Sequence, residues 1–502
     1  MFRLWSCNGG VHLDTHKEES SQAPLRTARL PRELVYPLQT RGGLNAEPVV
    51  AVGERVLKGQ VIARGEGPMN PPLHAATSGV VRSIEARPLL HPSGLADLCI
   101  VIDADGQDEA VPFEGVADYD YAQLGPEELR ARIHEAGIVG LGGAAFPASI
   151  KVNPGERRKV DTLILNGAEC EPYISCDDSL LRNFPEQVLG GARILMRILQ
   201  VERCLLGIES DMPQAIAALE QAMGQGDHGG IEIVPVPVIY PTGGEKQLIK
   251  VLTGREVPAD GIPADVGVIC QNVGTTAAIY KAIVFGEPLI SRIVTVTGLV
   301  RQPQNLLVRI GTPIADLIEQ CGGYAPTVQR LILGGPMMGF SLPSDDLPIV
   351  KSANCILALG PQEPIGQIMP CIRCGECASA CPVGLLPQQL YWYARADNLE
   401  RAVDYRLGDC IECGCCDYVC PSHIPLVQYF RAAKSTIAAK ERERHKADHA
   451  RIRFEARQAR KEREKLERAE SARRKKEALS KVMGTQPAKE KGQTSADPEQ
   501  TA

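Results

Sequence analysis

Two cysteine runs of identical spacing constrain this chain of 502 residues more than any other feature of its sequence. Cys371, Cys374, Cys377 and Cys381 precede Pro382, and Cys410, Cys413, Cys416 and Cys420 precede Pro421, so each run reads C-x2-C-x2-C-x3-C-P. Three thiolates on one tight loop hold three irons of a 4Fe-4S cube, while the fourth cysteine, opening the next helix, points away and ligates the other cube. The spacing therefore assigns Cys371, Cys374, Cys377 and Cys420 to one cluster, and Cys410, Cys413, Cys416 and Cys381 to the second. Gly375 and Gly414 let the backbone curl so that amide N–H groups approach the sulfides and help set the potential. A pair of zinc sites, or free thiols, is the competing reading, but four-ligand zinc has no need of a duplicated x3-C-P ending. Cys415 is surplus, and the eight cysteines outside this region read as single buried thiols.

Metal ligation also suits the compartment. The start MFRLWSCNGGVHLDTH has no apolar stretch long enough for a secretory signal, and no later segment approaches about eighteen uncharged apolar residues. A cytosolic protein, or one held at a membrane by partners, is expected, and there thiols stay reduced. Hydrophobic residues at 44% and charged residues at 23% exclude collagen, a coiled-coil rod and a wholly disordered chain. With two Trp and eight Phe the chain is poor in stacking platforms, which argues against nucleic acid as a partner. The formal charge of −6 hides an asymmetry: residues 431–482 carry 19 Lys and Arg against nine Asp and Glu, so the body before them is strongly acidic.

The chain length predicts several folded units. After an amino-terminal arm at residues 1–30, residues 31–115 show short apolar alternations punctuated by Gly and Pro, such as PVVAVGERVLKGQVIARGEG and HAATSGVVRSIEA. They predict a small β-barrel that resembles the biotinyl/lipoyl-like hybrid barrel, or barrel-sandwich hybrid. Its hairpin tip GEGPMNPP lacks the carrier Lys, so a structural role is expected. Residues 116–290 alternate helix and strand: PEELRARIHEAGIV, DTLILN, FPEQVLGGARILMRILQ, then CLLGIES. That alternation predicts a Rossmann-like parallel α/β sheet with its ligand beyond the carboxyl ends of the strands. A smaller α+β unit follows over 291–355, then the helical ferredoxin-type region at 360–430. Residues 431–502 form a basic tail, helix-favouring to 482 and disordered beyond. Fully helical, residues 431–482 would reach about 78 Å. Such a helix is either simply solvated or in contact with anionic headgroups.

GIVGLGGAAFPASIKV at 137–152 is a glycine-rich turn whose N–H groups are able to approach a phosphate, with Lys151 adding charge. Alone it reads more readily as a tight loop, because it does not clearly follow a strand and open a helix. In company it says more. GLGGAAFPASIK, NGAECEP at 166–172, YPTGGEKQL at 240–248 and QNVGT at 271–275 keep the order and approximate spacing of motifs in the flavin-binding subunit of respiratory complex I. That subunit has GRGGAGFPTGLK, NADEGEP-like, YICGEETAL and NNVET. With the barrel in front and the two ferredoxin motifs behind, residues 1–430 resemble the RnfC, or RsxC, family of the Rnf (Rsx) ion-translocating oxidoreductase complex. Ala168 and Gly244 depart from the complex I pattern, standing where it has Asp and Glu.

The resemblance implies an SLBB-like, β-grasp-like unit at 291–355 and FMN beside the two 4Fe-4S clusters. It implies that Gly140, Gly142, Gly143 and Lys151 cradle the flavin phosphate and ring, and that Asn166, Glu169, Gly243, Asn272 and Thr275 line the flavin. Phe146, Glu171, Tyr240 and Glu245 would face NADH; read without the family, Glu245 and, less strongly, Glu169 and Glu171 are better taken as solvated surface groups. The implied activity is transfer of electrons from NADH through flavin and clusters, with no protein residue as catalytic acid or base. The implied partners are the membrane subunits of the Rnf complex and a ferredoxin-like carrier, at the cytoplasmic face of the bacterial inner membrane. A non-catalytic electron-transfer module with a decayed nucleotide site is the alternative.

Overall fold

Four apolar segments, each too short for a packed helix, become the parallel strands of an α/β sheet: Thr162–Gly167, Arg203–Glu209, Ile231–Val236 and Val268–Asn272. In this computed structural model they run third, second, first, fourth across the sheet. All pairings are parallel, and Asn166 lies opposite Asn272 in register. The strand order reverses between the first and fourth strands, at the carboxyl ends where those two asparagines sit. Open α/β sheets bind ligands in that crevice.

Helices Pro185–Leu199 and Val273–Val284 cover one face of the sheet over a core that includes Leu163, Leu165, Leu195, Leu206 and Ile283. They approach closely because Gly190 and Gly191 face the second helix. A Cβ on Gly190 would enter the Tyr280 ring, and one on Gly191 would meet the Thr276 carbonyl.

The structure describes residues 3–39, 45–91, 93–117, 120–155, 158–226, 228–361 and 367–484. They divide into two units, residues 1–431 and residues 432–502, each taken by itself. In the first unit the small β domain pairs Glu33–Pro37, Ala96–Ala104, Gly79–Pro88 and Arg55–Val56 in one sheet, with a three-stranded sheet beside it. Leu34, Tyr36, Ile62, Ile100 and Ile102 fill it. A six-stranded mixed sheet forms the next domain, with strands Ser291–Gly298, Gln304–Arg309, Arg330–Leu333, Phe340–Leu342 and Cys355–Leu359. Its sixth strand, Arg26–Thr27, comes from the amino-terminal arm and pairs in parallel with Leu306–Leu307.

That arm is stitched across the unit. Trp5 N–H donates to Val251 O, Val11 and Tyr240 exchange backbone bonds of 2.8 and 3.0 Å, and Tyr173 N–H donates to Thr15 O at 2.7 Å. Lys17 Nζ reaches the buried Glu209 carboxylate at 2.6 Å, at the end of the second α/β strand.

The cysteine region folds into short helices, and its two halves repeat one backbone. Gly375 (φ +87°) opens Glu376–Ser379 and Gly414 (φ +82°) opens Cys415–Tyr418. A side chain is disfavoured at such φ, which is why glycine follows the second cysteine in both runs.

The described residues of the second unit are helical to Met483, within the long element Leu426–Met483. Residues 485–502, expected to be disordered, lie outside the described residues. No described helix is long and apolar enough to cross a membrane.

Candidate functional site

The glycine-rich loop sits against the switch-point crevice. Leu141 N–H donates to Thr275 Oγ1 at 2.9 Å, tying the loop to the first turn of Val273–Val284. Gly140 N–H and Ala145 N–H close the loop on Phe146 O and Gly140 O at 2.8 and 3.1 Å. Gly142, Gly143 and Ala144 are exposed, and their N–H groups have no protein partner among the described residues. A Cβ on Gly143 (φ +95°) would meet nothing within 4 Å, and one on Gly142 would come within 3.5 Å of the Asn272 side chain. Unpartnered amides facing open space form a cradle for an anion. Phe146 is half-buried beside it.

The two asparagines shape the crevice floor. Asn272 Oδ1 accepts from Gly274 N and Thr275 N, capping the helix, while its Nδ2 donates to Asp177 at 2.7 Å. Asn166 Nδ2 donates to Gly243 O at 2.8 Å, and its Oδ1 accepts from Ala168 N. Lys151 and Glu245 form an ion pair at 2.5 Å on the open side, where such a pair contributes only about 0–1 kcal/mol.

Glu169 is buried and accepts from Asp177 N at 3.0 Å, Asp178 N at 3.2 Å and the Cys176 thiol. Burial, then the charge of Asp177, pushes its carboxyl well above the usual range, against the pull of Lys17 and the amides. Burial raises Asp177 as well.

Glu171 and Tyr240, expected on the nucleotide side, have their polar atoms engaged within the chain. Glu171 Oε1 accepts from Met337 N at 2.7 Å and Met338 N at 3.0 Å, in the six-stranded domain. Tyr240 O–H donates to the Cys413 carbonyl at 2.7 Å, in the ferredoxin-type region.

The structure brings the predicted cysteine sets together across the two runs. Cys371, Cys374, Cys377 and Cys420 line one cavity; Cys381, Cys410, Cys413 and Cys416 line a second. The other walls are largely apolar, with Leu390, Val427 and Phe430 around the second, and Leu385 N–H points at Cys381 Sγ from 3.3 Å. Four thiols converging on a largely apolar pocket suit a cube, and in the second an amide is directed at sulfur. Cys415 also lines the second cavity and is fully buried. Among the eight cysteines expected as ligands only Cys374 is exposed.

Sequence reasoning missed Arg292, Lys351 and Cys170. Arg292 Nη2 donates to Leu141 O, behind the glycine loop, at 3.1 Å. A charge inside the apolar strand SRIVTVTG was the available signal. Cys170 Sγ accepts from Gly243 N and packs with Tyr240, Cys413 and Cys415, a contact no local pattern announces.

An α/β flavin crevice joined through shared residues to a two-cluster ferredoxin fold defines an iron–sulfur flavoprotein built for electron transfer. Comparison with protein families agrees: residues 133–281 match the Nuo51 FMN-binding domain and residues 370–424 the 4Fe-4S dicluster domain. Residues 5–107 match the RnfC barrel sandwich hybrid domain and residues 293–341 the SLBB domain. FMN and 4Fe-4S clusters are therefore its cofactors.

Relatives named as the C subunit of an ion-translocating oxidoreductase complex include one from Pectobacterium carotovorum, 47% identical across 93% of this chain and 62% of its own length. Those from Pectobacterium atrosepticum and Serratia proteamaculans are 46% and 49% identical, across 93% and 97% of this chain and 67% and 68% of theirs. The chain belongs to this family of complex subunits, and it spans about two thirds of their length. An NAD+-reducing [NiFe]-hydrogenase in its H2-reduced state is 18% identical with a TM-score of 0.46, across 66% of this chain and 69% of that one.

Proposed function

We propose that this chain takes electrons from NADH at the switch-point crevice and passes them singly into its two clusters. It does so as a peripheral subunit of an ion-translocating complex on the cytoplasmic face of the bacterial inner membrane. Other subunits of that complex and a ferredoxin-like carrier are its electron partners. Bound FMN supplies the conversion between a two-electron hydride and single electrons.

The remaining work belongs to the chain. Gly140, Gly142, Gly143 and Lys151 hold the flavin phosphate and ring, and Asn166, Glu169, Gly243, Asn272 and Thr275 shape the flavin's seat. Phe146 and Glu245 border the nucleotide side. Tyr240 and Glu171 brace that side against the ferredoxin-type and six-stranded domains, as their hydrogen bonds indicate.

One observation carries the reading. The segment Tyr240–Gly243 touches both centres, with Gly243 O accepting from Asn166 in the crevice and Tyr240 O–H bonded to Cys413 O beside the second cavity. Cys381, Cys410, Cys413 and Cys416 would hold the cluster linked to the crevice through this segment, and the set with the exposed Cys374 would hold the one nearer solvent.

Anaerobic protein with reconstituted clusters and FMN is expected to lose cluster absorbance on adding NADH and to regain it with an artificial acceptor. Full cofactor content without NADH-dependent bleaching would favour the decayed nucleotide site instead.

A further inference from the structure

Two buried basic side chains hold carbonyls of the glycine-rich loop. Lys351 Nζ donates to Gly137 O at 2.6 Å and to Pro72 O at 3.1 Å. Arg292 donates from Nη2 to Leu141 O at 3.1 Å, from Nη1 to Lys351 O at 2.6 Å and from Nε to Ile293 O at 3.2 Å. Among the described residues Lys351 gives its hydrogens to carbonyls, while Arg292, beside its carbonyl bonds, also meets the Cys176 sulfur and lies in the field of Asp177 and Glu169.

Burying a charge without a paired carboxylate is unfavourable. Lys351 has its hydrogens on carbonyls flanking one loop, and Arg292 bonds the same loop while facing Asp177. Gly137 and Leu141 bracket its start, and Gly137 (φ +68°) has no room for a side chain, since a Cβ would lie 2.7 Å from Lys351 Nζ.

We propose that Lys351 and Arg292 are positioning residues that fix the Gly137 and Leu141 carbonyls, so that the amides of Gly142, Gly143 and Ala144 stay turned toward the flavin phosphate; this rests on the flavin reading of the crevice. The clamp also gives the barrel a role. Pro72 lies at the hairpin tip where a carrier barrel would present its Lys, and here the tip offers a carbonyl that helps seat Lys351. Burial lowers the Lys351 amine to about 7, and burial, then Lys351 and Arg64, lowers the adjacent His74 to about 3. A neutral amine still has two N–H groups for two carbonyls, so the grip survives deprotonation.

The test uses the full chain with clusters reconstituted and flavin removed, in the parent, Lys351→Met, Lys351→Arg and Arg292→Lys. FMN fluorescence quenching is expected to show about tenfold weaker binding in Lys351→Met and Arg292→Lys, with Lys351→Arg recovering most of it. Hydrogen exchange of residues 138–146 without flavin is expected to quicken in the same two variants while iron content stays at the parent value. Unchanged exchange in that segment overturns the clamp whatever the flavin does. A parent chain that binds no FMN defeats the flavin reading alone, and the exchange result then decides the clamp. Should Lys351→Met fail to retain its clusters, Arg292→Lys carries the same two measurements.

Discussion

Glu169 sits at the amino terminus of the Cys176–Asn183 helix, where two backbone N–H groups favour its ionised form. Burial and Asp177 outweigh them, so its folded pKa is raised above the ordinary 4.5. The sign of the linkage follows. Above 4.5 the unfolded chain releases this proton while the folded chain keeps it, so stability is fullest at low pH and falls as pH climbs toward the folded value. Asp177, also raised, contributes in the same direction. Glu169→Gln keeps the shape and removes one of the two titrations. Flavin-free parent protein is expected to lose several degrees of Tm between about pH 5 and about pH 8 relative to the variant. Thermal melts followed by circular dichroism at both pH values check this, and identical slopes would place the raised carboxyl elsewhere.

The helices around the crevice are held by close backbone approach rather than by large side chains. Gly190 and Gly191 are the reason Val273–Val284 lies so near Pro185–Leu199. Gly191→Ala gains about 1 kcal/mol of helix propensity but drives a methyl into the Thr276 carbonyl, and overpacking of that kind costs about 1–3 kcal/mol. A net loss in Tm with unchanged iron content is expected, because the cysteine cavities do not touch this contact; a more stable variant would contradict the packing argument. Part of this level was legible beforehand. Apolar runs marked two of the four parallel strands, FPEQVLGGARILMRILQ marked a helix, and cysteine spacing grouped Cys420 with the first run and Cys381 with the second, as they line the two cavities. The edge strand Arg26–Thr27 was not legible, since two exposed residues carry no alternation. Nor were the bonds of Tyr240 to Cys413 and of Arg292 to Leu141, which join residues 173 and 151 positions apart.

At the scale of the whole molecule, charge and chemistry are segregated along the chain. The flavin crevice, both cysteine cavities and the stitching arm all fall within residues 1–431. Residues 441–482 are almost all exposed, with Ile452, Phe454, Leu466, Leu479 and Val482 too irregularly spaced for a coiled-coil seam. An exposed helix rich in Lys and Arg gains about 1 kcal/mol per basic residue near an anionic headgroup layer, and that gain fades within a Debye length of about 10 Å at moderate salt. A chain ending at Lys440 keeps the buried Leu426, Val427 and Phe430 of the helix's start and loses most of the basic run. It is expected to hold parental iron and FMN and to elute later from an anion exchanger. In flotation with vesicles containing anionic lipid it should bind at least tenfold more weakly than the full chain at low salt, the difference shrinking as salt rises. Equal binding of both chains at low salt would leave the helix a solvated extension with no part in membrane contact.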